Sequence, residues 1–322
     1  MATKEQLDAI EAMLAGTEKA IRKAFMEFLS HFSDEAVIAA IERMLAAGEI
    51  EAAYRLVEQY SAQMAVNISG NIGIVGTATA KELSDMLPGL IAVHFDPAHP
   101  RAAALIRQNA LEFVVQFNGE QRAATRQALV RAYEQGMGER AIAQEFKNSI
   151  GLTRTQERAV ANYRELLTNV GSGSTEALSR ALRNPAKDDM IERYASIKKP
   201  LTPKQIDSMV ASYRKNYLRY RAETIARTEG IKATSIAREE ANRQMLAQTG
   251  IDPGRVTRIW NATRDSRTRD WHASMNDQRR PLGVKFEDGK KNELMFPGDP
   301  DCPDPSSVIN CRCAITVEIS KP

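Results

Sequence analysis

The chain has 322 residues, of which 43% are hydrophobic and 26% are charged, as is usual for a globular protein of two or three domains. No run reaches the roughly 20 apolar residues of a membrane span, and the charged, amphipathic N-terminus is not typical of a secretory signal. Three cysteines, all near the C-terminus, argue against a secreted disulfide framework and favour a reducing cytoplasm. Aromatic residues make up only 6%, so we expect closely packed helices with a core of Ala, Leu, Ile and Met.

The formal net charge of +3 conceals two segments of opposite sign. Residues 1–100 carry 7 Lys and Arg against 14 Asp and Glu, whereas residues 101–270 carry 30 against 19. This asymmetry predicts partners of opposite charge for the two segments, with nucleic acid as a candidate for the basic one. The alternative is that the arginines simply lie on solvated helix faces.

Residues 1–66 are predicted to form an acidic N-terminal helical segment. Apolar residues recur at helical spacing over residues 4–30, and further helices are expected over residues 34–47, capped by Ser33, and 49–64. This segment is either a small bundle or an arm that docks on a partner. Residues 67–100, rich in small and β-branched residues and broken by three prolines, are predicted to be a linker.

Residues 101–250 are predicted to form a basic helical body. Helices are expected over residues 101–119 and 120–135, separated at Gly119, over residues 139–149, and over residues 155–169 with Thr153 as cap. A long helix over residues 204–249, with a division at Gly230, completes the body.

Tyrosines and basic residues alternate on that long helix. The basic residues, predicted to contact DNA through phosphate neutralisation beside aromatic stacking, are Arg214, Lys215, Arg219 and Arg221. The alternative is that Tyr213, Tyr217 and Tyr220, spaced i, i+4 and i+7, form the inward stripe of the helix while the basic residues face water.

Residues 251–322 are predicted to form a small α+β module. Strands are expected over residues 256–262, 284–286, 294–296 and 314–319, with one helix over residues 266–274 capped by Asp265. The predicted fold is therefore mainly α, a helical body followed by a short antiparallel sheet with one helix.

Two kinds of chemistry are compatible with this module. A tetrahedral zinc site could be formed by His272, Cys302, Cys311 and Cys313. Cys311 and Cys313 could equally be strand residues packed as small hydrophobic side chains. A second hypothesis is a metal-free nuclease with His272 as general base and Arg269, Arg279 or Arg280 holding phosphate.

One succession of residues in this module forms a recognisable pattern. It consists of Trp260, Asp265, Thr268, Arg269, His272, Phe286, Pro297, Gly298, Asp299, Asn310, Cys311, Arg312 and Cys313. In order and spacing these residues resemble the C-terminal signature of the Mu F-type minor head proteins of tailed bacteriophages, the phage head morphogenesis proteins. The resemblance covers residues 100–319, and Cys302 falls in a turn that varies within the family.

The resemblance implies a structural protein without catalytic residues or a required cofactor. Such a protein is expected inside the capsid near the portal, and in the host cytoplasm during assembly. Its expected partners are the portal protein, the major capsid or scaffolding protein, and double-stranded DNA bound without sequence specificity. The alternatives are a phage-encoded nuclease-like effector centred on His272 and a zinc-stapled interaction module. Some relatives carry toxin domains after the module; none is expected here, because the sequence ends with the signature.

Overall fold

The computed structural model of the chain describes residues 4–87, 91–263 and 265–320. Its helices are α1 (Lys4–His31), α2 (Glu35–Ala46), α3 (Ile50–Ser69), α4 (Asn71–Met86), α5 (Pro100–Glu134), α6 (Glu139–Ser149), α7 (Arg154–Thr168), α8 (Asp188–Ser196), α9 (Pro203–Thr249) and α10 (Asp270–Ala273). Its strands are β1 (Val256–Asn261), β2 (Arg279–Pro281), β3 (Phe286–Glu287), β4 (Glu293–Leu294) and β5 (Ala314–Ile319). The predicted fold class, mainly α with a C-terminal α+β module, is confirmed.

The chain divides into two compact units that are not contiguous in sequence. Unit 1 comprises residues 1–25, 62–113 and 223–322, and unit 2 comprises residues 26–61 and 114–222. This division differs from the predicted one into residues 1–66, 67–100, 101–250 and 251–322. Each domain was expected to consist of one continuous stretch of sequence. Instead, four helices each contribute residues to both units: α1, α3, α5 and α9.

Unit 1 contains both sheets. In the larger sheet β1 is central and pairs antiparallel with β2 and with β5, where Trp260 lies opposite Ile315. Strands β3 and β4 form a separate antiparallel pair. The strand β2 was not predicted, because its sequence, Arg-Arg-Pro, has neither the alternation nor the β-branched residues of a strand.

Residues 71–86, predicted as part of a linker, form the helix α4 of unit 1. Ile72 and Val75 pack against Ala233 and Ile236 of α9, so the stretch is part of a core. At position 76 of α4 a Cβ would come within 2.5 Å of the Phe95 ring, which explains why the residue there is glycine. The glycines and threonines that suggested a linker are thus compatible with a closely packed helix. Pro88, Gly89 and Leu90 of the predicted linker lie outside the described residues.

Unit 2 contains α2, α6, α7 and α8 and the first part of α9. In its core the buried rings of Tyr163 of α7 and Tyr213 of α9 stack with their centroids 4.2 Å apart. Tyr217 packs at the margin of the same core, whereas Tyr220 is 49% exposed. For Tyr213 and Tyr217 the inward-stripe interpretation is therefore correct.

The predicted ends of α6, α7 and α9 agree with the structure to within one residue, whereas other predicted ends and interruptions do not. The Thr153 side chain accepts a hydrogen bond from the Gln156 backbone amide, and the Gln156 side-chain oxygen accepts one from the Thr153 backbone amide, forming a capping box at the start of α7. The cap of α2 is Asp34 rather than Ser33. Gly119 and Gly230 do not interrupt α5 and α9, because a single helical glycine costs only about 1 kcal/mol.

Ion pairs within each unit join the acidic and basic segments of the sequence. In unit 2, Arg122 of α5 pairs with Glu58 at 2.6 Å and with Glu51 at 2.9 Å. In unit 1, the largely buried Arg238 of α9 pairs with Glu82 at 2.6 Å. Part of the charge asymmetry is thus compensated inside the molecule. In the described ranges, no helix has the length and apolarity needed to cross a membrane.

Candidate functional site

The signature residues of unit 1 converge on one buried cluster beside the larger sheet. Trp260 of β1 is fully buried and its ring packs edge to face on Phe286 at 5.3 Å. Residues 311–313 lead directly into β5, whose first residue Ala314 pairs with Asn261 at the end of β1, and α10 carries His272. Cys311 and Cys313 both face the imidazole of His272.

His272, Cys311 and Cys313 form the centre of this cluster. The Nδ1 atom of His272 lies 3.7 Å from the Cys311 sulfur and 3.6 Å from the Cys313 sulfur. All three residues are 2% exposed, and both thiols are free. The Nε2 atom of His272 is buried without a hydrogen-bond partner among the described residues. The group offers two sulfur ligands and one nitrogen ligand to a metal ion.

The two thiols influence each other's acidity. A hydrogen bond from Cys311 lowers the pKa of Cys313 to about 5, against the opposing effect of burial, and His272 adds to the lowering. The same hydrogen bond, together with burial, raises the pKa of Cys311. Of the two thiols, Cys313 is therefore the one that loses its proton first.

Cys302, the fourth predicted ligand, is not part of this group. It is buried in the same core cluster as Trp260 and Met275, but its thiol donates to the carbonyl of Asp304 at 3.7 Å. The group in the described residues that could hold a metal ion contains only three of the four predicted side chains. The structure therefore does not place Cys302 with the other three, since its thiol donates to the Asp304 carbonyl, and metal binding stays a prediction.

Arg312, between the two cysteines, is held by Asp265. Its guanidinium donates to both carboxylate oxygens of Asp265, at 2.5 and 2.8 Å. These hydrogen bonds hold the pKa of the Asp265 carboxyl well below its usual range. Asp265 also accepts from the Arg267 amide at 2.9 Å, closing a turn. It was predicted to cap a helix over residues 266–274, but the helix begins only at Asp270.

Thr268 and Arg269 anchor the same loop to neighbouring backbone. The Thr268 hydroxyl donates to the carbonyl of Thr263, and Arg269 donates to the carbonyl of Ile309. Asn310 follows with a φ of 55°, in the left-handed region that asparagine tolerates better than most residues. This backbone conformation turns the chain into the extended segment that begins at Cys311.

Pro297, Gly298 and Asp299 form a turn packed on α9. The Pro297 carbonyl accepts from the Ser235 hydroxyl at 2.9 Å, and the Asp299 carboxylate accepts from the Met295 amide at 2.6 Å. Gly298 has a φ of 78°, and a Cβ there would lie 2.9 Å from the Ile231 side chain. Both facts explain why glycine occupies this position.

Two further residues hold the cluster together and were not predicted. Arg258 of β1 is 1% exposed and donates to Glu239 of α9 at 3.1 Å and to the carbonyl of Met295 at 2.8 Å. Asp288 accepts hydrogen bonds from Asn292 and the Ser307 hydroxyl, which lower its pKa against the effect of burial. The role of Arg258 could have been suspected from the sequence, because an arginine at an inward position of a predicted strand needs buried hydrogen-bond partners.

The four basic residues predicted to bind DNA fall into two pairs. Arg214 donates to the carbonyls of Asn148 and Ile150, and Arg221 pairs with Glu120 at 2.8 Å while lying 3% exposed. Their guanidinium groups are already engaged inside unit 2, so the structure does not present them to a phosphate. Lys215 and Arg219 are exposed. DNA binding by these two stays a prediction.

The nuclease hypothesis requires His272 to reach a substrate. The imidazole is 2% exposed and faces two thiols. Of the arginines proposed to hold phosphate, Arg269 donates to a backbone carbonyl and Arg279 pairs with Glu318. This geometry is typical of a structural cluster and does not favour a general base.

A protein-family comparison matches the C-terminal part of the chain. Residues 192–316 match the model described as phage Mu protein F like protein. The match includes the signature residues from Trp260 to Cys313 and confirms the resemblance found in the sequence. Comparison with curated proteins and with solved structures gave no match.

Proposed function

We propose that the chain, whose residues 192–316 match the family model described as phage Mu protein F like protein, is a minor head protein. In this proposal it associates with the portal and the capsid interior and binds double-stranded DNA without sequence specificity. The match to this family model supports a role in phage head morphogenesis. The family is one of structural head proteins, which agrees with a non-enzymatic role. Association with the portal and the capsid interior is proposed from the resemblance of the signature residues to those of the Mu F-type minor head proteins, and DNA binding from the basic side chains of unit 2.

Exposed basic side chains of unit 2 support the proposal of DNA binding. Lys215 and Arg219 extend into solvent from α9. A groove of about 740 Å³ is lined by further arginines, among them the exposed Arg126, Arg154 and Arg158. None of these five side chains has an acidic partner within the described ion pairs. Unpaired, exposed cations are the groups that neutralise phosphates and release counterions.

Salt-dependent binding of the full-length chain to two duplexes of unrelated sequence tests this part. We expect equal affinity for both duplexes and a slope of log K against log salt of about −4.5 if all five side chains contact phosphates. Replacing Lys215 and Arg219 by Ala should make that slope less steep by about 1.8, and replacing the three groove arginines by about 2.7.

The control is Arg164→Ala, which removes an exposed arginine already paired with Asp207 at 2.7 Å. This variant should bind as the wild type does. If neither multiple variant changes the slope, the DNA contacts do not lie on these side chains. If the wild-type chain binds no DNA even at low salt, this part of the proposal is wrong.

Association with the head is tested separately. The chain is co-expressed with the portal and major capsid proteins of its phage, and assembled particles are separated by sedimentation. We expect the chain in the particle fraction when portal is present and its depletion when portal is omitted. Recovery only among free proteins would contradict the proposed association.

A further inference from the structure

We propose that His272, Cys311 and Cys313 bind a zinc ion. The metal is inferred from the arrangement of these three side chains and does not depend on the function proposed above. Two thiols and an imidazole form the donor set that zinc prefers in proteins, whereas magnesium and calcium prefer oxygen ligands.

The distances within the group match those of a tetrahedral zinc site. With Zn–S of about 2.3 Å and Zn–N of about 2.0 Å, neighbouring sulfur and nitrogen ligands of a tetrahedron lie about 3.5 Å apart. The observed separations from Nδ1 of His272 are 3.7 Å to Cys311 and 3.6 Å to Cys313. Both nitrogen–sulfur separations are therefore within about 0.2 Å of the tetrahedral value, and all three ligand atoms lie within 4.8 Å of one another.

Surrounding contacts fix the ligands before any metal arrives. Arg312 is clamped by Asp265 and so holds the residues on either side of it. The carbonyl of Trp271 accepts from the Gly289 amide at 3.1 Å, which fixes the residue next to His272. Preorganisation of this kind lowers the entropic cost of binding.

The ion would join the loop carrying α10 to the start of β5. These two segments are 39 residues apart in sequence at His272 and Cys311. The strands β2, β3 and β4 between them have only two or three residues each. A metal crosslink would compensate for so little regular structure, as in other small metal-stapled modules.

Metal analysis of the full-length chain, purified under reducing conditions, tests the proposal. We expect stoichiometric zinc in the wild type and its loss in Cys311→Ser, Cys313→Ser and His272→Ala. The matched control is Cys302→Ser, which alters a buried thiol of the same core cluster and should retain the metal. Loss of zinc from this control as well would overturn the assignment to three protein ligands.

A second measurement does not depend on whether the variants fold. Wild-type chain is stripped of metal with a chelator and titrated with Co²⁺ alone. Thiolate-to-cobalt charge transfer in the near ultraviolet, with the intense visible bands of tetrahedral cobalt, would support the site. Absence of both, together with purified protein free of zinc, would mean that the three side chains form only a hydrogen-bonded group and that the proposal is wrong.

Discussion

Both oxygens of the Asp265 carboxylate accept hydrogen bonds from Arg312, which stands between the two buried cysteines. The sequence marked Asp265 as a helix cap, a role in which it would contact only the next turn of chain. Its observed partner is 47 residues away and fixes the segment that carries both thiols. The identity of the residue was therefore evident from the sequence, whereas its role required the tertiary structure.

Replacing Asp265 by Asn should lower the thermal midpoint of unfolding at neutral pH, because the doubly hydrogen-bonded ion pair is lost. The pKa of Asp265 is lower in the folded chain than in the unfolded one. Its stabilising contribution is therefore complete above pH about 4 and is lost as pH falls through the folded pKa. The difference between wild type and variant should accordingly shrink below pH about 4, as followed by thermal unfolding at a series of pH values.

The control for that variant is Asp207→Asn, which breaks a pair of exposed side chains with Arg164. Exposed pairs contribute about 0–1 kcal/mol, so this substitution should leave the midpoint almost unchanged. Equal midpoints for wild type and Asp265→Asn at neutral pH would show that Asp265 does not hold Arg312 in solution.

Arg258→Met should destabilise the chain by about 3 kcal/mol, because it leaves buried acceptors without their donor. Those acceptors are Glu239 and the carbonyls of Pro281, Val284 and Met295. Denaturant unfolding measures the loss. Arg255→Met is the comparison, since Arg255 is half-buried and donates only to the carbonyl of Ser320; its effect should stay below about 1 kcal/mol. Similar losses for the two variants would contradict the structural role of Arg258.

At the scale of elements, helices were predicted better than the short strands. The capping box at the start of α7 is formed by Thr153 and Gln156, which lie within four consecutive residues, so it could be predicted from the local sequence alone. The strand β2, which was missed, depends on contacts with distant chain, such as the pairing of Arg280 with Arg258. The strands β3 and β4 pair with each other locally, and their ends lie within two residues of those predicted. Residues 71–86 were missed as a helix because their small side chains give a weak apolar stripe. Their burial depends on α9, more than 140 residues further along the sequence.

Gly298→Ala tests the turn that packs on α9. The substitution places a side chain at a φ of 78° and within 2.9 Å of Ile231, so we expect a loss of about 3 kcal/mol. Gly250→Ala is a matched control, because Gly250 has a φ of 67° with no atom within 4 Å of the added Cβ. It should cost about 1 kcal/mol through backbone strain alone. Equal losses in denaturant unfolding would show that the turn does not pack closely on α9.

At the scale of the whole molecule, the distribution of charge along the sequence is a poor guide to which charged side chains are free to contact a partner. The acidic first hundred residues and the basic middle suggested external partners of opposite sign. In the structure, Glu51 and Glu58 neutralise Arg122, and Glu82 neutralises Arg238. Net charge along a sequence cannot distinguish such internal pairs from free surface charge, because the pairing depends on the tertiary fold. In the proposed function, the nucleic acid contacts exposed basic side chains of unit 2 that have no acidic partner among the described ion pairs, such as Lys215 and Arg219.

Residues 1–66 were predicted to be a separate bundle or an arm, but residues 1–25 belong to the same unit as the signature module, and residues 26–61 belong to unit 2. The Gln6 side chain donates to the carbonyl of Val317 in β5 at 3.0 Å, and Leu14 packs on the core cluster around Trp260. Local unfolding of α1 and of β5 should therefore occur together. Sequence could not indicate this contact, because more than 300 residues separate Gln6 from Val317.

Leu14→Ala should thus weaken protection from hydrogen exchange in β1 and β5, although it lies in α1. Leu14 is partly buried, so we expect a loss of about 1 kcal/mol, or roughly fivefold faster exchange in peptides from both strands. Leu111→Ala, at a position 65% exposed in the same unit, should leave those peptides unchanged. Faster exchange confined to α1 in the Leu14 variant would mean that the N-terminal helix opens independently of the sheet.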